Sequence, residues 1–310
     1  MKVGVLSMNT DEDPIPPMDF ARLVEDSGIE SIFVPDHSHV PVGSAVPTDL
    51  KGSYGGQEEE REARFAASPG GLPREYYRNY EQLTTLTAIA AVTSTLKVGT
   101  GICLVVQRDP LYLAKQVATL DHFSGGRFIF GVGAGASWNR EELENHGVNL
   151  KTRNALMLER IEAIKAIWAN DRAEYHGEQV DFNPVFSWPK PITQPYPQIL
   201  MGGMGPTVLD RALSHADGWF PGHTDDAAFD GLGDRFTELR ERAAAAGKST
   251  EINLNFGQLG FVDKYVELGV DRVVFKLPSP VSEDELRKFI HEVGKIAQQA
   301  DDSSLAPSRV

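Results

Sequence analysis

At 310 residues, with 41% hydrophobic and 24% charged side chains, the chain has material for one large α/β domain or two smaller ones. Thirty basic residues against 44 acidic ones leave a net charge of −14, which excludes a nucleic-acid binder and a protein that adheres to anionic lipid. The single cysteine, Cys103, excludes an internal disulfide framework and fits a reducing cytoplasm.

No segment approaches the ~20 apolar residues of a membrane span. The N-terminal stretch is too short an apolar run for a signal peptide and reads as a first strand, Val3–Ser7. Met18–Ser27 has helical spacing, with Phe20, Leu23 and Val24 on one face and Gly28 as its C-terminal cap. Ser31–Pro35 is a second strand, Tyr80–Thr95 a helix, and Leu96–Leu104 a third strand carrying glycines. Pro110 opens the next helix, to Phe123, at a position where its missing N–H costs nothing. A fourth strand, Phe128–Val132, and a long helix, Ala155–Ala169, close the first half. In the second half, strands Gln198–Met201, Gly218–Pro221, Ile252–Phe256 and Arg272–Leu277 alternate with helices Pro206–His215, Ala227–Ala246, Gly260–Leu268 and Glu283–Gln299. Eight strands, each followed by a helix and with no break in composition, predict a single closed TIM-type (β/α)8 barrel over residues 1–300, in preference to a doubly wound sheet.

Two segments stand outside the alternation. The connection after the second strand is too long for a plain loop, and Gly43–Tyr77 is expected to cover the site as a lid, with Tyr76, Tyr77 or Tyr80 near its base. Its acidic middle, Glu58–Glu62, fits a disordered insert or an oligomer contact equally well. The other segment, Asn170–Pro197, is rich in aromatic residues and proline. The polar tail, 301–310, is expected to be unordered.

In a barrel of this kind function collects at the C-terminal ends of the strands. Asp36 and His37 leave the second strand there, and a carboxylate next to an imidazole allows proton transfer near neutral pH. His39 reads as a loop residue. Gly99 and Gly101 permit the close approach of a planar ring, whereas Cys103 has no neighbouring base and reads as a small core residue. The fourth strand ends in a glycine ladder, Gly131, Gly133 and Gly135, bare backbone that suits either a cofactor or a closely packed helix. Met201-Gly-Gly-Met-Gly-Pro206 leads into a helix whose N–H groups and dipole suit a phosphate; a turn that merely starts the helix is the alternative. The histidines are scattered, with no paired spacing for a metal.

The stretches Phe33–His37, Leu96–Ile102, Arg108–Asp121, Ser124–Phe128, Gly131–Gly135, Trp138–Glu142, Met201–Pro206 and Ala216–Trp219 occur in this order over residues 1–295. Together they resemble the luciferase-like monooxygenase superfamily, above all its branch that uses coenzyme F420, an 8-hydroxy-5-deazaflavin. The resemblance implies that Asp36 and His37 are catalytic and face the deazaflavin ring. It implies that Thr100, Gly101 and Ile102 form a bulge where relatives place a non-proline cis peptide against that ring. Gly133 and Gly135 are then expected to border the cofactor, and Gly202, Gly203, Met204 and Gly205 to bind its phosphate. The activity implied is hydride transfer between the deazaflavin C5 and a small organic substrate, in a cytoplasmic homodimer without nucleic-acid or membrane partners. The alternative is an FMN-dependent monooxygenase that takes reduced flavin from a separate reductase; a third reading is a barrel that binds flavin or deazaflavin without turnover. Sugar-phosphate dehydrogenases of the F420 branch carry a glutamate where this chain has Ala134, which speaks against a glucose-6-phosphate type of reaction.

Overall fold

The computed structural model describes residues 1–42, 72–223, 229–278 and 281–305. Its barrel strands are β1 (Lys2–Leu6), β2 (Ser31–Val34), β3 (Lys97–Thr100), β4 (Phe128–Gly133), β5 (Gln198–Gly202), β6 (Gly218–Phe220), β7 (Glu251–Gly257) and β8 (Arg272–Lys276). All neighbours are parallel, β1 pairs with both β2 and β8, and the β3–β4 pairing closes the ring. The eight-stranded barrel expected from the alternation is therefore present. Around it lie α1 (Pro17–Asp26), α2 (Gln82–Val92), α3 (Pro110–Ser124), α4 (Arg140–Asn145), α5 (Arg153–Ala169), α6 (Val208–His215), α7 (Leu232–Ala245), α8 (Val262–Glu267) and α9 (Glu283–Leu305). Among the described residues no helix is long and apolar enough to cross a membrane.

Strand alternation divides the core in two. Leu6, Phe33, Ile129, Leu200, Phe220 and Val274 form one cluster inside the barrel. Their strand neighbours, such as Val5, Ile32, Val34 and Phe130, belong to a larger cluster shared with the helices. Helix ends follow local chemistry. The carboxylates of Glu81 and Asp109 accept from the N–H groups of Thr84 and Tyr112, which caps α2 and α3. Gly125 ends α3 at φ +66°, a left-handed conformation that glycine adopts without strain.

The N-terminal end of the barrel is held by arginines. Arg272, wholly buried, donates to both carboxylate oxygens of Glu30 at 2.9 Å and to the Asn253 side chain. Arg127 donates to the carbonyls of Ala90, Thr93, Leu96 and Ser124, joining the ends of α2 and α3 to β3.

Several details differ from the sequence reading. The third strand does not run unbroken over Leu96–Leu104: β3 ends at Thr100, the Gly101–Ile102 peptide is cis, and pairing resumes at Cys103–Leu104 beside Val132 and Gly133. The segment 170–197 contains an antiparallel hairpin, Arg172–His176 with Asp181–Phe186, whose turn is fastened by the Glu159 carboxylate accepting from the N–H groups of Gln179 and Val180. α9 continues through Leu305, so the first half of the expected tail is helical. Residues 306–310 lie outside the described residues, as does 43–71, most of the expected lid with its acidic middle.

Candidate active site

A cavity of about 450 Å³ opens at the C-terminal end of the barrel, where β2, β3, β4, β5 and β7 all end. It is lined by Asp36, His37, Gly101, Ile102, Gly133, Gly135, Gly202, Gly203, Met204 and Gly205, so the fold brings together ten of the residues singled out in the sequence. Thr100 is the exception. It is fully buried, and its hydroxyl donates to the Gly131 carbonyl at 2.6 Å, so it braces the closing pair of strands rather than touching the cavity. Two glycines here lie very close to their neighbours. A Cβ on Gly133 would lie 1.9 Å from Ile102 Cδ1, and one on Gly131 would lie 2.1 Å from the Thr100 carbonyl oxygen.

His37 is held on one side by a carboxylate and on the other by aromatic rings. Its Nδ1 lies 3.1 Å from Glu142 Oε2, and the same oxygen accepts from Asn139 Nδ2 at 2.8 Å. The other Glu142 oxygen accepts from the Ser38 N–H at 3.0 Å. Burial alone would raise the Glu142 carboxyl, but the hydrogen bond and charge of His37, with the Ser38 and Asn139 bonds, hold it below the ordinary carboxylate value. The rings of Tyr76 and Trp138 stand 5.2 and 5.4 Å from the imidazole and restrict its rotation. With Nδ1–H committed to Glu142, Nε2 is the nitrogen left to exchange a proton with a ligand.

Asp36 does not play the part that its place in the sequence implies. Its carboxylate accepts from Leu104 N–H at 2.9 Å and from Arg108 at 2.7 and 3.2 Å, so the acid beside the imidazole is Glu142 instead. Burial would lower the Arg108 pKa, yet the charge of Asp36 outweighs it and keeps the guanidinium charged. Asp36 thereby secures the backbone just past the cis peptide. Cys103 is buried there too, and burial pushes its thiol well above the ordinary range, in keeping with its reading as a core residue. Of the tyrosines expected near the base of the insert, Tyr76 lines the cavity, whereas Tyr77 and Tyr80 do not.

The loop after β5 has its carbonyls fastened by side chains. Trp219 Nε1 donates to the Gly203 carbonyl at 2.8 Å, and Arg235 donates to those of Met204 and Gly205 at 2.8 and 3.0 Å. Three consecutive carbonyls ahead of α6 are thus engaged by side-chain donors. Gly203 sits at φ +107°, and a Cβ on Gly203 or Gly205 would meet nothing within 4 Å. Two arginines reach the same cavity, Arg153 from α5 and Arg211 from α6. Among the described residues neither has a carboxylate partner, and the Nε of each is buried without a hydrogen bond. Burial foremost, and also the like charge of Arg153, pull the Arg211 pKa down, with Asp210 opposing. Two guanidiniums without a carboxylate partner among the described residues, beside a glycine-rich loop, fit an anion such as a phosphate.

Sequence reasoning reached Glu142 and Asn139 only as part of the Trp138–Glu142 motif, and missed Arg153, Arg211, Met157 and Phe256, which reach the cavity from separate elements. Comparison with known proteins identifies the family and the fold. The family described as luciferase-like monooxygenase matches residues 1–262. An uncharacterized protein of Mycobacterium tuberculosis is 33% identical over 295 residues, 92% of this chain and 94% of its own. The FMNH2-dependent dimethylsulfone monooxygenase of Pseudomonas putida is 33% identical over 179 residues, 57% of this chain and 48% of that enzyme. The coenzyme F420-dependent tetrahydromethanopterin reductase of Methanopyrus kandleri shares the fold with a TM-score of 0.67 at 19% identity, covering 96% of this chain and 99% of that one.

Proposed function

Because the chain belongs to the luciferase-like monooxygenase family, we propose that it is an oxidoreductase that binds coenzyme F420 in the cavity above the barrel and moves hydride between it and a small organic substrate. The observation that carries this reading is the buried His37–Glu142 pair facing a cavity with bare glycine walls and two arginines that, among the described residues, have no carboxylate partner. Arg153, Arg211 and the amides of Gly203–Gly205 would hold the cofactor phosphate, and Gly101, Ile102, Gly133 and Gly202 would border its ring. Bound there, the deazaflavin supplies hydride transfer at its C5.

The chain's own contribution is proton handling and exclusion of water. His37 Nε2 donates the proton a carbonyl oxygen takes up on reduction, or accepts the one an alcohol loses on oxidation. Glu142 fixes the tautomer and stabilises the imidazolium, while Tyr76 and Trp138 keep the ring in place. Asp36 positions the cavity floor through its bonds from Leu104 N–H and Arg108.

The FMN-dependent monooxygenase reading rests on the Pseudomonas relative. Titrating the apoprotein with F420 and with FMN, followed by fluorescence, separates the two. Tighter binding of F420 is expected. Arg211→Ala should weaken binding at least ~10-fold, a loss of about 1.4 kcal/mol, while leaving the phosphate-free deazaflavin unaffected. Tighter binding of FMN, or equal loss for the phosphate-free ring, would overturn the assignment.

A further inference from the structure

A second cavity, of about 260 Å³, lies beside the first at the same end of the barrel. It is formed by the connection from β1 to α1, the Arg74–Glu75 turn, and the connection from β8 to α9. Its walls are mostly apolar, with Ile15, Phe20, Leu277 and Leu286 among them, yet Asp13 and Glu75 also line it. Glu12 stands at its edge but is taken by Arg74, at 2.5 and 2.6 Å. Asp13 is held by neutral donors. Both of its oxygens accept from Thr10, through the hydroxyl at 2.7 Å and the N–H at 2.8 Å, and among the described residues no Lys or Arg pairs with it. Burial foremost, with the charge of Glu75 adding, raises the Asp13 pKa despite the Thr10 bonds. A carboxylate held so is stabilised by an arriving positive charge.

An independent observation points to a ligand. Asn9 is 2% exposed and lines this cavity, and its Nδ2 is buried without a hydrogen-bond partner. A buried amide donor left unmet is costly, and such groups in folded proteins are met by a ligand or a water. Asn9 also stands in the left-handed region, at φ +56°, a conformation that non-glycine residues hold where the surroundings demand it.

Apolar walls, an uncompensated carboxylate and an unmet amide donor define one chemistry. We propose that this cavity binds the amine end of an amphipathic amino alcohol, its ammonium donating to Asp13 and its hydroxyl oxygen accepting from Asn9 Nδ2. Met8 borders both cavities. A ligand continuous past Met8 places its amine here and its reacting end beside His37, a placement that rests on the proposed redox function.

The probe is 2-amino-1-phenylethanol, titrated calorimetrically into the apoprotein at neutral pH. Two controls isolate its groups: 1-phenyl-1,2-ethanediol lacks the charge, and 2-phenylethylamine lacks the hydroxyl. The amino alcohol is expected to bind at least ~10-fold more tightly than the diol, and several-fold more tightly than the amine. Asp13→Asn should abolish the preference over the diol while F420 binding is unchanged. Equal binding of amino alcohol and diol by the unmodified protein, or a preference that survives Asp13→Asn, would overturn the assignment. The ligand comparison needs no variant, so it stands even if Asp13→Asn folds poorly. Failure of F420 to bind would sink the redox reading and leave amine recognition intact; the converse result would do the reverse.

Discussion

Replacing Asp36 with asparagine separates a structural carboxylate from a catalytic one. The Asp36 side chain is 4% exposed and that of Arg108 19%, so the pair is shielded from solvent screening. Stripping one partner from such a pair costs about 3–5 kcal/mol, chiefly by leaving the other charge uncompensated. Two contacts soften the loss here. Asparagine can still accept from Leu104 N–H, and Glu81 meets Arg108 at 3.1 Å. The expected destabilisation is therefore about 3 kcal/mol, the low end of that range. Unfolding entropy of roughly 2.1 cal/mol/K per residue amounts to about 0.65 kcal/mol per kelvin for this chain, so the melting midpoint should fall by about 5 °C. Scanning calorimetry measures that shift, and steady-state kinetics well below the midpoint measures turnover, which should stay within ~5-fold of the parent. A midpoint within 1 °C of the parent together with a ~10²-fold loss of turnover would show that Asp36 carries the proton, and would refute the assignment of that role to His37 and Glu142.

His37→Ala should lower turnover by ~10²-fold or more while F420 affinity changes little, as single-turnover kinetics and fluorescence titration would reveal; unchanged turnover returns His37 to a structural role. Gly133→Ala should weaken cofactor binding ~10-fold or more, because its Cβ would fall 1.9 Å from Ile102 Cδ1, and the added Ile102→Ala should restore most of the loss. Two independent, additive losses in that cycle would disprove the steric cause. Glu30 governs acid stability: burial opposes ionisation, but the bonds and charge of Arg272 prevail and lower its carboxyl from 4.5 to about 2. Folding lowers this pKa, so its contribution is whole above pH 4.5 and is lost as pH falls towards 2; at about 1.4 kcal/mol per unit this amounts to roughly 3 kcal/mol. Urea unfolding of Glu30→Gln should give a flatter stability curve than the parent between those values, and parallel curves would contradict the linkage.

The barrel was legible because each unit announces itself locally. Val3, Val5, Ile32, Val34 and Val98 mark short buried strands, and Pro110 and Gly28 mark helix ends. The break at Gly101 was not visible from periodicity, since the apolar pattern runs on through Cys103 and Leu104; only the family resemblance placed a bulge there. The hairpin at 172–186 was hidden for another reason. Its burial is irregular and its strands are fixed by Glu159, a helical residue distant in the sequence. In the site, adjacency in the chain misled. Asp36 neighbours His37 in sequence, but successive residues leaving a strand diverge, and the imidazole meets a carboxylate 105 positions further on. Arg153 opens α5 and Arg211 sits within α6, and nothing in either helix's sequence distinguishes an arginine facing a cavity from one facing solvent.

The pairing of β1 with β8 has a consequence for how the chain is made. β1 leaves the ribosome before the other barrel strands, but one of its two partners, Arg272–Lys276, follows it by 270 positions. Until that last strand emerges, β1 and β7 each present a row of unpaired amides and carbonyls to the cell. The Arg272–Glu30 clasp spans 242 positions, so Glu30 also waits that many residues for its arginine. A nascent or truncated chain that stops short of residue 272 is thus an open, sticky sheet and a natural client for chaperones, and protection against aggregation arrives at a single late step rather than accruing with each βα unit.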